Sequence, residues 1–125
     1  MQAYEVSQVP SRVWETSGVR QRVRGGEFNV AAWVQLKGTA TQVLLVVEHE
    51  DDAGQHEALV DKATTNGDGA LLMSGLVSLR FTGEVKNVKV SLVMAEQGVT
   101  FRVDELFMQR RGAALDQQDK LISNF

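Results

Sequence analysis

Apolar and polar residues alternate with a period of two along most of this chain, as far as about Gln109. From Phe28 to Leu36 the alternation is clean: Phe28, Val30, Ala32, Val34 and Leu36 fall on one side, and Asn29, Ala31, Trp33 and Gln35 on the other. Such a period predicts a strand with one face against a core. Val19 to Val23 alternates in the same way, and Val85 to Met94 sets Val88, Val90, Leu92 and Met94 opposite Lys89 and Ser91. Val43 to Val47 is apolar throughout, which in so short a run predicts a strand covered on both sides or a packed central strand. His49 to His56 reads as its turn and Glu57 to Lys62 as the return strand. Thr64 to Gly69 is a loop by its glycine and Asx content. Ala70 to Met73 and Leu76 to Phe81 flank Ser74-Gly75. The final strand, Val99 to Met108, follows the turn Glu96-Gln97-Gly98 and alternates through Phe101, Val103, Glu105 and Phe107. It carries Asp104 in an otherwise apolar setting, where a carboxylate needs a partner because an unpaired buried charge is costly.

About eight short strands with turn residues between them, and no crossover helices, predict an all-β fold: an antiparallel β-sandwich of jelly-roll type. After Arg110-Arg111-Gly112 the pattern changes. Ala113, Ala114, Leu115, Leu121, Ile122 and Phe125 recur at roughly helical spacing among polar residues, so residues 113–125 read as a C-terminal tail, a short docking helix or a frayed end, behind a sandwich domain over residues 1–112.

At 125 residues and 43% hydrophobic content the chain is long enough for one cored domain and too short for two. A net charge of −3 argues against a nucleic-acid binder that relies on neutralising phosphates. With no cysteine there is no disulfide framework, thiolate metal site or thiol nucleophile. Met1 to Val6 lacks the basic and apolar regions of a signal peptide, and no apolar run is long enough for a helix to cross a membrane. The compartment stays open, an extracellular location being expected only as part of a larger secreted protein.

The order of three segments resembles a known family. Glu27-Phe28-Asn29-Val30-Ala31-Ala32-Trp33-Val34-Gln35-Leu36, the pair Leu72-Met73-Ser74-Gly75 and Leu76 to Phe81, and Phe101-Arg102-Val103-Asp104-Glu105-Leu106 are similar to three strands of the galactose-binding-like carbohydrate-binding modules of xylan- and β-glucan-binding type. The likeness spans roughly Arg12 to Met108. It implies a galactose-binding-like jelly roll, non-catalytic binding of a polysaccharide or oligosaccharide, and a structural calcium near the closing strand. The family's opening strand has no counterpart in the sequence pattern, so half of the calcium ligands are missing. A hard cation that wants six or more oxygens is then one reading of Asp104, and capture by an arginine or by backbone amides is the expected one. The same gap predicts an exposed edge strand suited to homo-oligomer formation.

Sugar recognition needs an aromatic plane and a few polar groups, and both tryptophans are candidates. Trp33 lies opposite the Phe28-Val30-Val34 face, where it either packs in a second layer or stacks on a ligand; Gln35 shares its side. Trp14, in the Pro10 to Thr16 loop, is similar with Arg12 to a ligand-stacking loop of the family. Arg20, Arg22 and Arg24 recur at every second position, as a solvated face or as a grip on acidic sugars. Enzyme chemistry finds little support. Glu48-His49-Glu50 with His56 makes at most an adventitious metal site on a polar hairpin, and Asp51-Asp52 and Asp104-Glu105 are adjacent pairs that point apart on a strand. The expectation is a carbohydrate-binding sandwich using Arg12, Trp14, Trp33 and Gln35, with a protein-interaction or homo-oligomer module as the alternative.

Overall fold

A computed structural model describes residues 2–15, 25–38, 42–64, 69–94, 100–111 and 120–123. They form β1 (Gln2–Gln8), a single helical turn α1 (Ser11–Trp14), β2 (Gly25–Lys37), β3 (Val43–Asp51), β4 (Gly54–Ala63), β5 (Gly69–Arg80), β6 (Asn87–Met94), β7 (Thr100–Arg110) and β8 (Lys120–Ser123). Antiparallel pairing sorts the strands into two four-stranded sheets, β1-β6-β3-β4 and β5-β2-β7-β8. Successive strands switch repeatedly from one sheet to the other, giving a sandwich that is broadly jelly-roll-like.

The alternating apolar faces meet between the sheets. Phe28, Val30, Ala32, Val34 and Leu36 of β2 are all buried and join one cluster with Val43, Leu45 and Val47 of β3 and with Val88, Val90, Leu92 and Met94 of β6. Val46, on the other side of β3, is also buried, as its unbroken apolar run predicts. Truncating a side chain of this core, such as the fully buried Leu106, to alanine costs roughly 2–5 kcal/mol in lost transfer energy and residual cavity.

Strict alternation fails in β7, and the pairing shows why. Trp33 pairs with Glu105 but the next residue, Val34, pairs with Val103. Asp104 is therefore the extra residue of a β-bulge, which leaves two residues of β7 opposite one of β2. The phase of the strand changes at that point: Val103 lies inside, and so do Leu106 and Met108, while Glu105 and Phe107 take the outer side with Trp33 and Ala31.

Four other expectations change. Gln2–Gln8, whose pattern is weak, is a strand on β6. The presumed turn His49 to His56 is mostly strand, with only Asp52 and Ala53 between β3 and β4, because Gly54 at φ 112° supplies the left-handed backbone a tight reversal needs. β5 runs unbroken through Ser74-Gly75. A Cβ at Gly75 would sit 2.2 Å from the Val60 carbonyl oxygen, so glycine there permits close approach of β4 and β5 at the sandwich corner, where Asp61 Oδ2 also accepts the Ser74 N–H at 3.0 Å. In place of a C-terminal helix, Lys120–Ser123 is a strand paired with Glu105 to Phe107, so β7 is an interior strand over that stretch and the edge beside the closing strand is covered there. Val19 to Val23, the turn Glu96-Gln97-Gly98 and residues 113–119 lie outside the described residues.

Candidate functional site

Among the described residues, two places gather side chains that depart from the usual sorting of apolar groups inside and polar groups outside. The first is the outer face of β5-β2-β7. Cross-strand register places Leu72, Trp33 and Glu105 in one row, Ala70, Gln35 and Arg102 in the row on one side, and Ser74, Ala31 and Phe107 on the other. A further row holds Leu76, Asn29 and Gln109. Trp33 is 44% exposed and Leu72 54% exposed, so the indole at the centre of the sheet presents a large part of its surface to solvent. The small residues Ala31 and Ser74 floor a shallow hollow bordered by Leu76, Phe107, Asn29 and Gln109. A second depression, lined by Gln35, Lys37 and Arg102, lies on the other side of the indole row. An apolar platform about 13 Å long, from position 33 to position 29 at the rise of an extended strand, is thus edged by amides and charged groups.

Asp104 belongs to this face. Its Oδ1 accepts from Arg102 Nε at 2.6 Å and its Oδ2 from Gln35 Nε2 at 3.1 Å. The closing-strand acid is thus held by an arginine and a side-chain amide, and calcium is not indicated among the described residues. The bulge gives the carboxylate this reach, since Asp104 is the residue of β7 without a ladder partner in β2.

The four residues expected to bind sugar do not converge. Trp33 and Gln35 are neighbours on β2, whereas Trp14 lies at the other end of the sandwich. Its indole N–H donates to the Val9 carbonyl at 3.2 Å and its ring packs edge-on against Phe81 at 5.4 Å. Arg110 donates to the carbonyls of Trp14 and Gly25 at 2.5 and 2.7 Å and lies over the Phe28 ring, 4.8 Å from its centroid. That fixes Trp14 beside Gly25, eight strand residues or about 26 Å from Trp33. Arg12 is exposed on α1 at the same end. Arg20, Arg22 and Arg24 lie outside the described residues.

The second departure is the β3–β4 hairpin. His49 and Asp51 are two residues apart on one strand and so share its inner face, and His56 of β4 is directly opposite His49. The two rings stack at 4.6 Å, Phe81 packs edge-on against His49 at 5.1 Å, and His49 and Asp51 are only 5% and 2% exposed. Asp51 Oδ1 accepts from the Ala53 N–H at 2.9 Å and lies 3.0 Å from His56 Nε2, while Oδ2 accepts the Thr82 N–H at 2.9 Å. These bonds to the charged form, the Thr82 N–H first, hold the carboxyl at about 2, below its usual range. His49 Nε2 faces Asp51 Oδ2 at 3.4 Å without the geometry of a full hydrogen bond, and the Arg80 backbone is the ring's other polar neighbour. Burial, then the neighbouring His56, pushes the His49 pKa down and favours the neutral ring. The donor atoms of the three side chains all lie within 4.8 Å of one another, a cluster capable of coordinating a metal ion.

Glu48 and Glu50, read with His49 as ligands, point to the opposite side of the sheet: Glu48 accepts from Ser91 Oγ at 2.9 Å and Glu50 meets Lys86 at 3.8 Å. Asp51 has no visible role as long as residues 49–56 read as a turn. The signal that identifies it is a His-x-Asp step, which shares a strand face, followed by a short Asp-Ala-Gly reversal that returns a second histidine. Leu72, Leu76 and Phe107 carry no signal in the sequence, because an apolar residue on the outer side of a strand reads as a core residue of another register. No protein-family model matches the chain, and no curated protein or solved structure is significantly similar to it.

Proposed function

We propose that the outer face of β5-β2-β7 is a non-catalytic saccharide-binding surface of a carbohydrate-binding type of β-sandwich. The observation that carries this reading is Trp33, a tryptophan 44% exposed at the centre of a sheet face, where close to half of a large aromatic plane is left to solvent. Sugars present flat C–H faces and a rim of hydroxyls, and such ligands are held by an aromatic plane with amides and charged groups at its border. Gln35, already oriented by Asp104, supplies the nearest hydrogen-bonding group, and Asn29 and Gln109 border the hollow further along. Trp14 and Arg12 form a separate surface. The resemblance of β2, β5 and β7 to xylan- and β-glucan-binding modules names the polymers to try first.

The test is affinity electrophoresis of the chain through gels containing xylan or β-glucan. The parent is expected to be retarded by at least one polymer, and Trp33→Ala to lose affinity by roughly tenfold or more, the effect of removing an aromatic contact worth about 1.4 kcal/mol. Undiminished retardation of Trp33→Ala by a polymer that holds the parent sinks the assignment. A second reading, an interface for another protein or a second copy, draws on Leu72 and Leu76, two exposed aliphatic side chains that a sugar does not require. It predicts a mass that rises with concentration in sedimentation and falls back in Leu72→Ser, with no retention on any glycan.

A further inference from the structure

We propose that the β3–β4 hairpin binds a divalent first-row transition metal, of which zinc is the reference ion, through Nε2 of His49, a carboxylate oxygen of Asp51 and Nε2 of His56. The site is independent of the saccharide face, since its three side chains point into the end of the sandwich and none belongs to β5, β2 or β7.

Geometry makes the first argument. A tetrahedral ion with ligands at 2.0–2.2 Å keeps its donor atoms about 3.4 Å apart. Asp51 Oδ2 stands 3.4 Å from Nε2 of His49 and Oδ1 stands 3.0 Å from Nε2 of His56, so the carboxylate lies between the two imidazoles, and one donor atom from each side chain falls within 4.8 Å of the others. The side chain of His56 is 40% exposed and those of His49 and Asp51 are nearly fully buried, so His56 is the ligand placed to close the remaining distance and to admit the ion from solvent.

The second argument is the His49 ring. The buried imidazole has only long or poorly aligned polar neighbours, the Asp51 carboxylate 3.4 Å from Nε2 and the Arg80 backbone, so it recovers little of the hydration it gives up. A metal on Nε2 supplies a stronger partner. The ring is held in place for it by Phe81 against one edge and His56 against its face.

The third argument concerns what surrounds the ligands. Metal-binding side chains are oriented by a second layer of hydrogen bonds, and Asp51 is held by the N–H groups of Ala53 and Thr82, one on each oxygen. Both bonds can persist while the carboxylate ligates. Binding requires only that His56 present the lone pair of Nε2 and carry its ring hydrogen on Nδ1. Two imidazoles and one carboxylate suit a borderline ion such as zinc, cobalt, nickel or copper and lack the oxygens that calcium needs.

The chain, untagged and stripped with chelator, is titrated with zinc by calorimetry and with cobalt by visible absorption. Saturable binding of one equivalent is expected, with a cobalt spectrum of imidazole-ligated, low-coordinate character and a rise in the thermal midpoint. His56→Gln, at the half-exposed position and therefore tolerated by the fold, should weaken binding by roughly tenfold or more, the scale of losing a ligand or its support. Glu50→Gln, on the opposite side of the same hairpin, should leave it unchanged. Absence of saturable binding in the folded chain, or equal binding by the parent and His56→Gln, overturns the proposal; loss of binding in Glu50→Gln with retention in His56→Gln does the same by moving the ion to the outer face.

Discussion

The hairpin end of the sandwich and the outer face of its β5-β2-β7 sheet break the same rule in opposite directions. At the hairpin, charged and polar side chains are drawn inside: His49 and Asp51 are buried. On the sheet face, Trp33, Leu72 and Leu76 stand outside. An ordinary exposed leucine or satisfied surface ion says little, whereas a buried polar group or a cluster of exposed large apolar ones asks for a reason. The two regions also differ in who supplies that reason. The Asp51 carboxylate is satisfied by the protein's own backbone, so much of the cluster's value is spent on holding the hairpin to the segment at Thr82. The indole of Trp33, by contrast, leaves close to half of its surface facing solution.

That contrast predicts separable losses. The largest effect on folding is expected from Asp51→Ala, which removes the buried acceptor shared by Ala53 N–H, Thr82 N–H and His56. In chelator its urea midpoint should fall well below the parent's while retention on a polysaccharide that holds the parent is kept under folding conditions. Simultaneous loss of retention at full stability contradicts the separation.

Acid should erase the same contribution. Asp51 titrates at about 2 in the fold against 3.8 ordinarily, so the native state holds the proton less tightly than the unfolded chain. The carboxylate's stabilisation is then fully present above the unfolded value and disappears as pH drops through the native one. Melting curves of the parent and Asp51→Asn in chelator should differ most above pH 4 and converge toward pH 2; a constant gap over that range would mean that ionisation of Asp51 does not stabilise the hairpin.

The smallest folding effect belongs to the sheet face. Leu72→Ser and Leu76→Ser, at positions about half exposed, should shift the unfolding free energy by no more than about 1 kcal/mol each. A cost above ~2 kcal/mol would mean that these side chains are packed in the native state, and the contrast between the two regions would collapse.

Much of the sandwich is legible in the sequence because burial writes itself as period. The inner and outer sides of β2 follow the alternation from Phe28 to Leu36, and the apolar run at Val43 marks the interior strand β3. Where other physics overrides period, the pattern misleads. The ends of β3 and β4 are polar because they house the histidine and aspartate cluster, so they resemble a loop. Gly75 looks like a break in β5 because glycine usually ends a strand, yet here it admits the Val60 carbonyl. Gln2–Gln8, at the edge of its sheet, lacks the strong alternation of a strand with a full core face. Trp33 and Gln35 are legible as companions by parity alone. Trp14 cannot be set apart from them by sequence, because the bonds from Arg110 to Trp14 and Gly25 are a tertiary fact with no local trace.

The bulge in β7 gives the closing strand one residue of slack. Removing Asp104 would restore an unbroken ladder with β2 and still leave Val103, Leu106 and Met108 inside and Glu105 and Phe107 outside, because the extra residue is what separates the two phases. Elsewhere in β2 or β7 a single deletion turns half a strand inside out. Position 104 is therefore where this strand can shorten without losing its core, and its acid stands on the outer face beside Gln35.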